Sequence, residues 1–321
     1  MAKVAIGVDI GGTNIRFGAV SNDGKIVAHK KLFTEASQGV DEVLAKLNNG
    51  IDDTIRKAAE KGYETVGTGI GIPGIIYAEK GIIHFSPNLP GWVDVNLKAA
   101  VKKQFKIPTY VENDANAYAL GEAMYGAGKG VKSQICITLG TGVGGGLVLN
   151  GKIWRGADGM AGEVGHITVD AKGPSCGCGN NGCLERYSSA TAVIERVAGR
   201  ARGPKSSAIV ELYRENPEAV TAEVVAQAAK AGDDTAAEIF REVGRNLGIV
   251  AAGLINLLNI EMIVIGGGLV GAWDLFIDNL RSEVRRRAFD VPAATCKIVP
   301  GKLGDFAGIY GAAGLALKKR K

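Results

Sequence analysis

The chain begins twice, and this repetition constrains its fold more than any other feature. VAIGVDIGGT followed by IRFGAV reads as strand, glycine turn, strand. From Gln134, QICITLGTGVGGGLVLNGKI repeats the pattern. Asn22-Asp23-Gly24 after the first copy and Asn150-Gly151 after the second are hairpin signals leading into a third strand. In the first half, Val40, Val43, Leu44, Leu47, Ile51, Ile55 and Ala58 share one face of a helix expected over residues 39–62. TVGTGIGI reads as a buried strand, and helices at 97–105 and 114–125 flank the strand TYVEN. In the second half, helices are expected at 184–200, 206–215, 221–230, 233–257, 271–288 and 304–318, with strands at MIVIGGG and KIVP. A duplicated three-strand start followed by helices predicts two α/β domains facing a cleft. The expected division is residues 1–117 plus 304–321 for a smaller N-terminal domain and 118–303 for a larger C-terminal one.

Composition narrows the class. The 321 residues are 46% hydrophobic with a net charge of +5, too mild to imply a nucleic-acid partner. Lys318-Lys319-Arg320-Lys321 and Arg285-Arg286-Arg287 read as solvated surface. No apolar run approaches the roughly 20 residues of a membrane span, and the opening lacks the pattern of a signal peptide. The expectation is a cytoplasmic protein with no membrane partner. Thiols there stay reduced, so crowded cysteines suggest metal binding or catalysis before disulfides.

The glycine turns suggest phosphate. Asp9-Ile10-Gly11-Gly12-Thr13 ends the first strand, and Leu139-Gly140-Thr141-Gly142-Val143-Gly144-Gly145-Gly146 is the matching turn of the second copy. Glycine lets backbone N–H groups approach an anion closely, Thr13 offers a hydroxyl, and Asp9 could hold Mg²⁺ through water. The alternative is a pair of hairpin turns that need positive φ. G-x-G-x-x-G occurs three times, at Gly69-Gly71-Gly74, Gly140-Gly142-Gly145 and Gly266-Gly268-Gly271. Only the last follows a strand and precedes a helix, with Asp290 placed as a ribose acid would be, so a nicotinamide enzyme is an alternative reading. It lies late in the chain without a convincing βαβ unit, and Gly266, Gly267 and Gly268 read better as a surface for adenosine. No P-loop motif is present.

GPSCGCGNNGCLE crowds Cys176, Cys178 and Cys183 together. With His166 of the upstream AGEVGH they form a Cys₃His set that suits structural, tetrahedral zinc. Gly177, Gly179 and Gly182 permit the sharp turns this requires. Free thiols or a redox pair are the alternatives. The clamped loop would present Glu163, His166 and Glu185, with one imidazole nitrogen for the metal and the other for a ligand hydroxyl. Cys136 and Cys296 lie in apolar strand patterns and are expected to be buried. In VENDANA, Asp114 stands at a strand-to-helix junction, where it could cap the helix or act as a base. Two phosphate cradles favour the base, because phosphoryl transfer mainly needs a carboxylate that orients the attacking hydroxyl. Asn113 would bind adjacent hydroxyls.

These motifs resemble the ROK family of repressors, open reading frames and sugar kinases over essentially the full length, and most of all its bacterial glucokinases. The resemblance rests on DIGGT, SPNLPGW, ENDANA, LGTGVGGG, GEVGH, CGCGNNGCLE and VIGGG. It implies a two-domain actin/Hsp70/hexokinase-like (ribonuclease H-like) fold and ATP-dependent phosphorylation of the 6-hydroxyl of glucose, with Asp114 as base. Asn88, Asn113, Glu163, His166 and Glu185 would bind sugar hydroxyls, and His166, Cys176, Cys178 and Cys183 would bind zinc. Asp9, Gly11, Gly12, Thr13, Gly140, Thr141, Gly142, Gly144 and Gly266 to Gly268 would hold ATP with its Mg²⁺. Another hexose (fructose, mannose or an N-acetylhexosamine), a polyphosphate donor and a non-catalytic sugar sensor are the alternatives. The resemblance further implies a homodimer or homotetramer. With the phosphate turn starting at Asp9, the helix-turn-helix of the family's repressors and DNA binding are not expected.

Overall fold

The structure, a computed structural model, describes residues 1–204 and 206–318. Of the basic tail, Lys319, Arg320 and Lys321 lie outside the described residues. In chain order the first half comprises β1 (Ala2–Ile10), β2 (Asn14–Ser21), β3 (Ile26–Phe33), α1 (Val40–Glu60) and β4 (Tyr63–Ile72). There follow β5 (Ile75–Tyr77), β6 (Ile82–Phe85), β7 (Val93–Asn96), α2 (Leu97–Phe105), β8 (Thr109–Asn113) and α3 (Asp114–Tyr125). The second half opens with β9 (Gln134–Leu139), β10 (Val143–Leu149) and β11 (Lys152–Trp154). Helices α4 (Glu185–Ser188), α5 (Ala190–Ala201), α6 (Ala208–Glu215), α7 (Ala222–Lys230) and α8 (Asp234–Leu258) come next. The chain then forms β12 (Met262–Gly266), α9 (Trp273–Arg287), α10 (Asp290–Thr295), β13 (Lys297–Pro300) and α11 (Ala307–Lys318).

The duplication is visible in the topology. One five-stranded sheet runs β3-β2-β1-β4-β8 and the other runs β11-β10-β9-β12-β13, the same order strand for strand. A small sheet of β5, β6 and β7 was not expected from the sequence, because strands this short carry no readable alternation. The helix expected over 184–200 is two helices. Ser189 takes an extended conformation and its hydroxyl accepts from Ala192 N, capping α5. β12 and β13 pair in parallel with α9 and α10 between them. This is a βαβ crossover around Gly266-Gly268-Gly271, which the sequence reading did not expect. No helix among the described residues is long and apolar enough to cross a membrane.

The chain divides into two compact units, Met1–Cys136 with Gly146–Gly162 and Lys302–Lys321, and Ile137–Gly145 with Glu163–Gly301. A boundary after Ala117 would cut α3 near its start. The whole helix instead stays with the first unit because it packs on α11.

In the first unit, strand alternation decides where the candidate carboxylates point. Val4, Ile6, Val8 and Ile10 of β1 face the core shared with Val43, Leu47, Ile51 and Ala58 of α1. Ala5 faces the other layer, with Ile309, Ala313 and Ala316 of α11. Asp9 shares that second face, and a Cβ on Gly308 of α11 would sit 2.6 Å from its carboxyl carbon. At Gly7 and Gly69, α11 approaches the sheet so closely that only glycine fits beneath it. A Cβ on Gly69 would lie 1.7 Å from the Ala312 carbonyl oxygen. Gly69→Ala is therefore expected to cost at least ~3 kcal/mol, the upper end of overpacking, because the obstacle is backbone. Urea unfolding checks this, and a loss below ~1 kcal/mol would contradict the packing.

The second unit uses the same device. α8 meets α9 where a Cβ on Gly244 would be 2.2 Å from the Phe276 carbonyl oxygen. Asp233 caps α8 by accepting from Ala236 N, and its other oxygen accepts from Ile209 N at the start of α6. Cys136 and Cys296 are both buried, as the sequence pattern predicted.

Candidate active site

In the first unit the site begins where β1 turns into β2. Gly11 N donates to Asn14 O at 2.8 Å, while Thr34 grips the turn from β3's end, its hydroxyl donating to Gly11 O and its N–H to Thr13 O. None of the glycines at 11, 12, 140, 142, 144, 145 and 146 has positive φ. A strained hairpin is thus not the reason for them. Close approach accounts for two of them: a Cβ on Gly142 would sit 2.4 Å from a Glu185 carboxylate oxygen and one on Gly146 2.6 Å from Ala115 O, whereas one on Gly12 would make only ordinary contact with Asn88 and one on Gly140 would meet nothing.

The β8–α3 junction settles the capping question in favour of Asn113. Its Oδ1 accepts from Asn116 N at 3.1 Å, and its Nδ2 donates to Gly74 O at 3.3 Å. Asp114 is the first helical residue, and its Oδ1 accepts from Ala115 N at 2.9 Å. Asp114 is half-buried, in the first turn of a helix, where the N-terminal dipole favours its charge. Burial and then the Asp114 charge push the Asp9 carboxyl up to about 7, while Arg16 opposes them. Arg16 stands opposite Asp9 in the β1–β2 register, with Nη1 3.8 Å from Asp9 Oδ2 and Nη2 3.1 Å from Asp305 Oδ2.

The second unit gathers the other candidates around the LGTGVGGG turn. Glu185 Oε2 accepts from Val143 N at 2.9 Å, Ala190 N donates to Gly140 O, and the Thr191 hydroxyl donates to Thr141 O. GEVGH packs on the same turn, because a Cβ on Gly165 would be 2.1 Å from Val143 O. Gly267, at positive φ, lies over the backbone of Leu139. Gly271 has nothing near its missing side chain, and α9 starts only at Trp273 after a 3₁₀ turn. The third glycine of a dinucleotide fingerprint would instead pack a helix on a strand. Asp290 is exposed at the start of α10.

His166, Cys176, Cys178 and Cys183 place their ligand atoms within 4.8 Å of one another. Cys178 Sγ is 3.6 Å from Cys183 Sγ, and Cys176 Sγ is 3.6 Å from His166 Nδ1. A tetrahedron with Zn–S bonds of about 2.3 Å has ligand separations of about 3.8 Å, so the donor set and its size fit zinc. Nδ1 faces the sulfurs, while Nε2 faces Glu163 Oε2 at 3.9 Å. The hairpin closes because Gly182, at positive φ, passes directly under Asp170 O, where a Cβ would be 1.6 Å away. Gly179 also takes positive φ, and Gly177 lies in a turn without it. Burial pushes the Cys183 thiol up to about 12, and the Asn180 backbone lowers that of Cys178.

Within the first unit the fold thus groups Asp9, Gly11, Gly12 and Thr13 with Asn88, Asn113 and Asp114. Within the second it groups the turn at 140–144, Glu163, His166, Glu185, the three cysteines and Gly267. Sequence reasoning missed Thr34, Arg16 and Asp305, and also the Glu112–Arg155 pair behind Asp114. Arg16 alone had a readable signal, its placement across the hairpin from Asp9.

A family model described as "ROK family" matches residues 5–319. A curated glucokinase of Thermotoga maritima is 39% identical over 315 residues, covering 98% of this chain and 97% of that protein. A xylose repressor of Caldicellulosiruptor bescii is 33% identical, covering 95% of this chain but 76% of the repressor. Among solved structures, a ROK glucokinase from Streptomyces griseus, in complex with glucose and AMPPNP, aligns with a TM-score of 0.82 at 35% identity over 98% of this chain and 99% of that one.

Proposed function

Because the chain belongs to the ROK family and is a hexokinase-type phosphotransferase with the two-domain actin-like fold, we propose that it transfers the γ-phosphoryl group of ATP to the 6-hydroxyl of glucose. The observation that carries the reading is the β8–α3 junction. Asn113 takes over the cap, leaving Asp114 as a carboxylate beside the Asp9 turn. In this reading Asp114 accepts the hydroxyl proton as the oxygen attacks phosphorus, a late transfer that an ordinary carboxylate manages. Asn88, Asn113, Glu163, His166 and Glu185 hold the sugar's other hydroxyls and so fix which oxygen faces the phosphate. The turns at 11–13 and 140–144 hold phosphate oxygens, and Gly266 to Gly268 support the adenosine. Asp9 holds the Mg²⁺ carried by the nucleotide, through water, and that ion offsets negative charge on the phosphates when bound. His166, Cys176, Cys178 and Cys183 hold a structural zinc ion whose closed ligand set supplies no reaction chemistry. A homodimer or homotetramer and a cytoplasmic location belong to the same proposal.

The repressor relative supports a second reading, a sugar sensor without turnover. A panel of hexoses, N-acetylhexosamines and xylose with ATP or polyphosphate, read by product ADP and by phosphorylated sugar, separates the readings. Glucose with ATP is expected to give the highest kcat/KM, by ~10-fold or more over any single-hydroxyl epimer. Absence of turnover with every sugar would leave the sensor reading, and a better epimer would reassign the substrate.

A further inference from the structure

Behind Asp114 lies an ion pair that the proposed chemistry does not use. Glu112, the penultimate residue of β8, is 2% exposed. Its Oε2 accepts from Arg155 Nε at 2.8 Å and lies 2.6 Å from Arg155 Nη2, a two-pronged contact. Its Oε1 accepts from the backbone N–H of Asn113 and from Nδ2 of Asn116, each at 3.2 Å. One face of the carboxylate thus meets the guanidinium, and the other grips the peptide that leads into Asp114 and the first turn of α3. Asn116 closes the loop, since its backbone N–H donates to Asn113 Oδ1.

Arg155 is itself held. It follows β11 directly, and its carbonyl accepts from Ala161 N at 3.0 Å, so its segment folds back on itself within the first unit. A buried ion pair is commonly no more stable than apolar residues of the same volume. Stability alone therefore does not account for a charge at this strand end. What the pair does differently from an apolar filling is direct hydrogen bonds at particular backbone and side-chain donors.

We infer that Glu112 and Arg155 are positioning residues for Asp114: the pair locks the Asn113 peptide and the first turn of α3, and so aims the Asp114 carboxylate. The inference rests on Asp114 being the base. Arg155→Met leaves the Glu112 carboxylate buried without its counter-charge, so it takes up a proton or swings toward water, and either change alters the bonds it makes at the junction. Arg155→Lys restores the charge without the two-pronged geometry. Glu112→Gln keeps the volume and one acceptor oxygen, and it serves as the test if Arg155→Met does not fold.

The experiment measures kcat and both KM values, MgATP affinity by fluorescence and thermal midpoints for these variants alongside Asp114→Asn. Arg155→Met is expected to lower kcat by ~30-fold to ~100-fold, the effect of roughly an ångström of misplacement. Its MgATP affinity and the KM for ATP are expected to stay within ~3-fold, because the nucleotide contacts are other residues, whereas the KM for sugar is expected to rise with the displaced Asn113. Arg155→Lys should recover to within ~5-fold of the parent, and Glu112→Gln should lose ~5-fold or more in kcat. A kcat within ~2-fold of the parent in both Arg155→Met and Glu112→Gln overturns the inference, whatever the melting temperatures. Equal losses in kcat and MgATP affinity, without recovery in Arg155→Lys, also overturn it by showing general disruption. Substantial turnover in Asp114→Asn would instead overturn the base assignment, whereas an inactive Asp114→Asn beside an unimpaired Arg155→Met refutes the positioning role alone.

Discussion

Asp114→Asn is expected to lower turnover by ~10³-fold while sugar affinity stays within ~3-fold. The substitution keeps the shape and the acceptor that receives Ala115 N–H, so the helix start should survive. What it removes is the charge that takes the hydroxyl proton. The same change has a second signature at a different residue. Asp114 is, after burial, the main reason the Asp9 carboxyl lies near 7 rather than its ordinary 3.8. Without that charge, Asp9 ionises at lower pH. The sign for stability follows from the raised native value. Below the unfolded value of 3.8 the contribution is complete, and it is lost as pH rises through about 7, because the native state holds a proton that the unfolded chain has released. Asp114→Asn should therefore make the fall in stability between these pH values shallower. Carboxyl-resolved NMR titration reads the Asp9 shift, and steady-state kinetics with a coupled ADP assay reads turnover. Retention of more than about a tenth of the parent's turnover would falsify Asp114 as base.

Cys183→Ser should abolish zinc binding and weaken sugar binding by ~10-fold or more, while MgATP affinity changes by less than ~3-fold. Cys183 is the buried member of the sulfur pair, 3.6 Å from Cys178 Sγ, and its sulfur also lies 3.6 Å from the His166 carbonyl oxygen. The metal would fix the orientation of His166, leaving Nε2 toward Glu163. Loss of the ion frees the ring and lets the hairpin at 168–183 open, so the effect should fall on the sugar before the nucleotide. Elemental analysis of the parent is expected to find one zinc per chain and of the variant none. A zinc-free variant with the parent's sugar affinity would separate the metal from ligand binding, and a parent purified without any bound metal would leave the cysteines as plain thiols.

Legibility differed from one part of the site to another. The cysteine hairpin could be read because its three thiols, turns and cross-hairpin bonds lie within a short stretch, as in the Cys176 N–H to Asn180 O bond. His166 was found only because no other histidine stood nearby. The junction at Asn113 and Asp114 was readable as a junction, but not in its phase. Both residue types cap helices well, so the choice depends on where β8 stops pairing, and that is set by Ile72 of β4 opposite Asn113. The Glu112–Arg155 pair had no sequence signal, since a glutamate and an arginine 43 positions apart carry no mark of one another.

Taken alone, the amino-acid order determined the doubled strand–turn–strand plan, the helix faces, the grouping of His166 with the three cysteines and the acidic residue at a strand end. These depend on side-chain periodicity and backbone preferences that act over a few neighbouring residues. Tertiary structure alone decided which face of β1 carries Asp9, how closely α11 lies on Gly69, which residue caps α3 and what anchors the strand behind it. Each of those depends on segments far apart in the chain coming to lie at one distance and one register. Hydrophobic burial drives such associations without directional preference, so only the packed backbone selects among them.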